Sequence, residues 1–437
     1  MKTLTSATIP SRATGFRGPG RSPAERPLVV VTGVLLFVFL FFTTCTVFVN
    51  EAWPLQVFQI GIYGAVAAYL LLGMQQAREQ LADSVVQWLV YLTPVWGIIQ
   101  IELHTTSSSS ETRQQALKWG ALAGVFFLTQ VVATSRSALR LMLNCFVWFA
   151  TALAILCIAQ IFTSQGLVLW LFPSGYPDVY ATFQSSNNYA QFAELALPIA
   201  IYRALREGWR AWGFALAGSV IYASTIASAS RAGSFLCTLE LLAVLVLVLM
   251  RKGRSRDGYS MQATLVYLAV IPILACAFAA VVGWGHVIER FHDSNPYNVR
   301  REYLVSAINM AKHRPWTGFG LGTFPEVYQK FAIKDFPFYA NHAHNDWAEF
   351  AADGGIPFLL LVLLPFLRGA VIAIKHPWGI GLIAVLLHAC VDYPFPRPAV
   401  SGWMYFILAL LLMSYTFDRQ QRERLAASEE TRRLHAV

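Results

Sequence analysis

Residues 28–49 read LVVVTGVLLFVFLFFTTCTVFV, without one charged side chain. At about 1.5 Å rise per residue, a helix of this length covers the roughly 30 Å hydrocarbon core of a bilayer. Crossing that core requires every backbone N–H and C=O to be satisfied internally, which a helix does within one segment. The run is too long for a secretory signal core, and no small-residue cleavage site follows it. It is expected to be an uncleaved first span. Residues 1–27, with Arg12, Arg17, Arg21 and Arg26, are expected to form a disordered cytoplasmic tail.

The same pattern recurs along the chain. Candidate spans fall at 28–49, 55–73, 85–103, 115–133, 139–162, 188–203, 211–229, 233–250, 263–284, 355–374, 377–393 and 399–417. Composition agrees: of 437 residues 56% are hydrophobic and 13% charged, and the mean hydropathy is +0.50. A soluble domain carries about a quarter charged residues, so a soluble enzyme and a disordered chain are both excluded. The expected fold is an all-α polytopic membrane protein with about 12 transmembrane helices and one large, partly helical outer loop. The expected divisions are a tail at 1–27, spans at 28–284, a loop at 285–354, spans at 355–417 and a cytoplasmic tail at 418–437.

The formal net charge is +9. The basic residues lie between apolar stretches, which is a pattern of membrane orientation and not of a nucleic-acid groove. An even number of spans puts both termini on one side. If that side is the cytoplasm, most of the 33 basic residues lie inside. The short outer loops then keep only Arg113, Lys118, Arg231 and Arg397. The six cysteines each sit in an apolar segment without zinc-site spacing and read as small packing residues.

The 285–354 loop exceeds a simple connection, which suggests function. It holds five of the nine histidines, His286, His292, His313, His342 and His344, with aromatics including Tyr297, Tyr303, Trp316, Phe324, Tyr328, Phe338, Tyr339 and Trp347. Rings beside polar groups suit a carbohydrate face and also mark membrane interfaces. Arg300 to Lys312 reads as an amphipathic helix ended by Pro315. Its neighbours Arg300 and Arg301 point about 100° apart, so one can face a site while the other faces water. A guanidinium fork matches phosphate oxygens, so two outward arginines could hold a lipid pyrophosphate or form a solvated face paired with Glu302.

Arg231 follows a turn of small residues, Ser228 to Ser230. On this topology it faces outward, either toward a charged ligand or snorkelling to lipid headgroups. In Asn341-His342-Ala343-His344-Asn345-Asp346-Trp347-Ala348-Glu349, an imidazole offers a general base that Asp346 or Glu349 could orient. Asn345 or Asp346 also reads as a helix cap. His342 and His344 have no well-spaced third metal ligand, so no metal site is expected. Gly318, Gly320 and Gly322 follow no strand and read as a tight turn, not a nucleotide loop. Asp353-Gly354-Gly355-Ile356-Pro357 reads as the entry turn into span ten. His388 and Asp392, four apart, are expected on one face of span eleven, with Asn187 and Asn188 starting span six on the same side. Arg231, Arg300, His344, Asp392 and Asn187 thus converge on the outer membrane surface.

Four segments in this order resemble the O-antigen ligase and O-antigen polymerase superfamily of bacterial envelope glycosyltransferases. They are Thr182 to Ala190, Ser230-Arg231-Ala232-Gly233, Arg300 to Phe324, and His342-Ala343-His344-Asn345 followed by Gly354-Gly355-Ile356. The resemblance covers roughly residues 180–400 and implies a GT-C-like fold in the bacterial cytoplasmic (inner) membrane, with the active site facing the periplasm. It implies a glycan donor on undecaprenyl pyrophosphate, a lipid A–core or glycan acceptor, and neither metal nor nucleotide cofactor. Arg231 and Arg300 would engage the pyrophosphate, and His344 would activate the acceptor hydroxyl. Arg301 shares the first assignment with Arg300, and His342 the second with His344; Asn345, Asn187 and Asp392 would bind substrate. Leu304 departs from the family pattern, where an aromatic is common. A protein O-oligosaccharyltransferase of the same superfamily would accept Ser or Thr. From other classes, a secondary transporter would place polar groups at mid-membrane in broken helices, and a scaffold would not need His and Arg clustered on one side.

Overall fold

The computed structural model describes residues 25–73, 84–176, 178–207, 212–252, 266, 269, 272–273, 298–333 and 340–434. The helices are α1 (Glu25–Cys45), α2 (Trp53–Gly73), α3 (Ser84–Glu102), α4 (Ser109–Val132), α5 (Arg136–Thr163), α6 (Ser186–Glu207), α7 (Trp212–Ala227) and α8 (Arg231–Lys252). They continue with α9 (Asn298–His313), α10 (Phe324–Val327), α11 (Asp346–Lys375), α12 (Ile380–His388) and α13 (Pro398–Leu434). A two-stranded hairpin pairs β1 (Leu167–Val168) with β2 (Phe172–Pro173).

Among the described residues, eight helices are long and apolar enough to cross a membrane: α1 to α5, α8, α11 and α13. The protein is therefore a mostly helical, polytopic membrane protein. Every expected span falls at least partly on a helix except the ninth, 263–284. That segment lies outside the described residues, apart from helical positions 266, 269, 272 and 273. His286, His292, Tyr297, Phe338 and Tyr339 also lie outside them.

The bundle is built inside out. In the apolar window of α13, 89% of residues are buried, against 22% for α2, so α13 is the central post and α2 an outer one. The post is held by rings. Trp403 stacks on Phe146 with centroids 4.2 Å apart, and its indole N–H donates to Thr44 Oγ1 at 3.0 Å. A buried indole needs such a partner.

The expected break before span ten is present: within α11, which starts at Asp346, two helical stretches meet at Gly355, whose φ of 70° and ψ of 179° are not helical. One expectation needs correction. Span eleven does not run to 393. Helix α12 ends at His388, where Val391 N and Asp392 N both bond back to the His388 carbonyl, and Pro394 and Pro396 follow. A proline disfavours helix in the residue before it.

The kink frees the carbonyls of Ala352, Asp353 and Gly354, and buried carbonyls need partners. The glycine turn supplies them. Phe319 N donates to Ala352 O at 3.1 Å and Gly320 N to Asp353 O at 2.8 Å, while in return Ile356 N of α11 donates to Pro315 O at 2.7 Å. Gln100 Nε2 and Trp96 Nε1 of α3 complete the set on Asp353 O and Gly354 O. The close approach explains Gly318, at φ 63°: a Cβ there would lie 2.2 Å from the Asp353 carbonyl oxygen. The expected tight turn is present, and its work is to lock α9 to α11.

Candidate functional site

Asn345 caps α11, with Oδ1 accepting from Ala348 N at 2.9 Å and Nδ2 donating to Cys390 O at 2.8 Å. Asp346 N donates to Ala389 O, and Asp346 Oδ2 accepts from Phe395 N, each at 3.0 Å. These bonds lash the start of α11 to the turn after α12. His344, just before the cap, has φ 51°. A non-glycine residue enters that left-handed region at a cost of about 1–2 kcal/mol, and such strain collects at functional sites.

In this backbone His344 Nδ1 lies 3.3 Å from Asp392 Oδ1. Asp392 Oδ2 accepts from Asn187 Nδ2, and Tyr393 N donates to Oδ1 at 3.0 Å. Asn187 Oδ1 accepts from Ser230 Oγ at 2.8 Å, and Ser230 Oγ accepts from Gly233 N at 3.1 Å. Polarity therefore runs one way, from the start of α8 through the start of α6 to Asp392. With both Asp392 oxygens accepting, His344 Nδ1 is the donor, and the neutral ring in that tautomer carries its lone pair on Nε2. Burial pushes the Asp392 carboxyl up, but the His344 hydrogen bond and the Arg300 charge outweigh it and hold the group below its ordinary value.

Small residues permit this assembly. A Cβ on Gly233 would lie 2.3 Å from the Ala190 Cβ, so the start of α8 can rest on α6 only without a side chain there. Arg231 is the first residue of α8, half-buried and next to Ser230. It does not line the cavity described below.

Arg300 comes from α9, which packs on α11 through Tyr303, Ala307, Met310 and Ala352. Its guanidinium donates to Val391 O at 3.0 Å. Arg300, His344, Asp392, Asn187, His342 and Tyr393 line one cavity of about 390 Å³. His342 Nδ1 lies 2.9 Å from Glu349 Oε1, and the Tyr393 ring contacts both imidazoles, at 4.5 Å from His342 and 4.9 Å from His344.

The structure thus brings together His344, His342, Arg300, Asp392 and Asn187. Arg301 is exposed and outside the cavity, and the Asn345 amide is occupied at the helix cap. His388 and Asp392 do not act as a pair. His388 is fully buried and meets Glu194 of α6 at 2.7 Å, while Asp392 turns to His344, because the helix ends between them. Glu240 of α8 is buried nearby, with no hydrogen-bond partner for either carboxylate oxygen among the described residues. Sequence reasoning missed Glu194, Glu240, Tyr393 and the burial of Lys118 within α4. A charge inside an apolar span was the available signal for Glu194, Glu240 and Lys118.

Residues 214–363, from α7 into α11, match the family model described as O-antigen ligase. That segment contains Arg231, Arg300, His342 and His344. The similarity spans about a third of the chain and supports a membrane glycan-processing enzyme of O-antigen ligase type. No curated protein matches it.

Proposed function

We propose that the chain transfers a glycan from undecaprenyl pyrophosphate to a hydroxyl acceptor, at the periplasmic face of the bacterial cytoplasmic membrane. The observation that carries this is the oriented His344–Asp392 pair sharing a cavity with Arg300. His344 Nε2 takes the proton as the acceptor oxygen bonds to the sugar anomeric carbon. The carbon–oxygen bond to the pyrophosphate breaks, and its electron pair leaves with the phosphate. Ionised Asp392 stabilises the imidazolium that forms. Arg300 holds the pyrophosphate, a good leaving group whose charge a guanidinium matches, and Arg231, at the start of α8 outside the cavity, adds a second cation on that side. Arg301 and Asn345, placed elsewhere, have no part in this step.

The test is turnover by the purified chain in lipid, with undecaprenyl-pyrophosphate-linked glycan as donor. A product made by wild type and lost in His344→Ala supports the reading. A ladder identifies a polymerase, and one shifted band on added lipid A–core identifies a ligase. Transfer to Ser or Thr identifies a protein O-oligosaccharyltransferase. The buried Glu194–His388 pair favours a second reading, a secondary transporter. That reading predicts ion-coupled uptake by the same liposomes without glycan transfer.

A further inference from the structure

A second cavity, of about 380 Å³, adjoins the first and shares Asn341 and His342 with it. Its wall carries Glu111, Gln115, Lys118, Glu349, Asp353 and Arg397. Lys118 is 6% exposed and Asp353 4%, so both are nine-tenths buried. Asp353 Oδ2 accepts from Gly322 N at 2.8 Å, while Oδ1 is buried without a partner, as is Arg397 Nε. A buried polar group without a partner is costly, and a ligand that supplies one recovers the cost.

Charge of both signs defines the ligand. Glu111 and Glu349 oppose a phosphate, and Lys118 and Arg397 oppose a cation. A sugar hydroxyl both donates and accepts, so a neutral sugar ring satisfies both sets. We propose that this cavity is the acceptor-sugar subsite, with Lys118, Asp353 and Gln115 as its binding residues; this rests on the transfer reaction proposed above. Position supports the acceptor over the donor. Arg300 lines only the first cavity, and Lys118 and Asp353 only the second. Displacement at the anomeric carbon brings the nucleophile from the side opposite the leaving group. With pyrophosphate at Arg300, the second cavity, which meets the first at Asn341 and His342 and lacks Arg300, is the one left for the acceptor. The acceptor hydroxyl then reaches His344 across the shared wall of Asn341 and His342.

The full chain in lipid nanodiscs tests this with two probes. One is undecaprenyl pyrophosphate without glycan, read as a dissociation constant. The other is the acceptor that wild type glycosylates, lipid A–core or undecaprenyl-linked glycan, read as KM. Lys118→Met, which keeps the side-chain length, and the milder Gln115→Ala are compared. The expected result is an acceptor KM raised about tenfold or more in Lys118→Met and several-fold in Gln115→Ala, with undecaprenyl pyrophosphate binding within twofold of wild type. An unchanged acceptor KM in both variants overturns the subsite. So does a loss of undecaprenyl pyrophosphate affinity in Gln115→Ala. Absence of transfer by wild type itself overturns the underlying reaction instead.

Discussion

His344 and Asp392 stand 48 positions apart in the chain, yet Nδ1 of one lies 3.3 Å from Oδ1 of the other. If this pair is a base and its orienting carboxylate, its two members fail differently on substitution. His344→Ala lowers kcat by about 10²–10⁴ with little change in acceptor KM. Asp392→Asn keeps the shape and removes the charge, and it lowers kcat less than His344→Ala. His342→Ala, whose Nδ1 is held by Glu349, leaves the base in place and reduces kcat less than either. Initial rates over both substrates read all three.

Arg300 and Arg301 separate cleanly. Arg300→Ala costs about 10² or more in rate, because one cation near the leaving group is lost. Arg301→Ala, on the exposed face of α9, stays within twofold of wild type. Equal losses in the two variants would remove the pyrophosphate role from Arg300.

If guanidinium groups supply the positive charge, chelation has no target. Turnover in excess EDTA is expected within twofold of that without it. A loss restored by added divalent cation would contradict the proposed chemistry.

The Glu194–His388 pair predicts a stability signature. Removing one partner of a buried ion pair costs about 3–5 kcal/mol, whereas apolar replacement of both is often neutral. Glu194→Leu and His388→Leu each lower thermal stability in detergent, and the double replacement recovers most of the loss.

Gly318→Ala places a Cβ 2.2 Å from the Asp353 carbonyl oxygen at a left-handed φ. The expected cost is about 1–3 kcal/mol, from backbone strain and overpacking. It appears as a lower unfolding temperature, with reduced kcat if α9 shifts against α11.

Hydropathy located the spans because lipid demands a long apolar run, and α1 to α5 lie close to where that rule puts them. It placed the start of span ten at the Gly355 break of α11 but did not reveal the nine helical residues before that break, which burial against the glycine turn sustains. It overextended α12, since apolar Cys390 and Val391 continue the pattern past the point where the helix stops. The residues meeting in the cavity were each visible as polar groups near span ends. Their pairing was not, because Asn187, Ser230 and Asp392 come together only through the packing of α6, α8 and α12. Lys118 was assigned to a loop edge on charge alone, and the structure buries it in α4 beside a polar cavity that no linear pattern outlines.

The turn after α12 holds Arg300 through the Val391 carbonyl and His344 through the Asp392 carboxylate. Those two anchors are consecutive residues. Cation and imidazole therefore ride on a single piece of backbone, although one comes from α9 and the other from the start of α11. A displacement of that turn would therefore act on cation and imidazole at once.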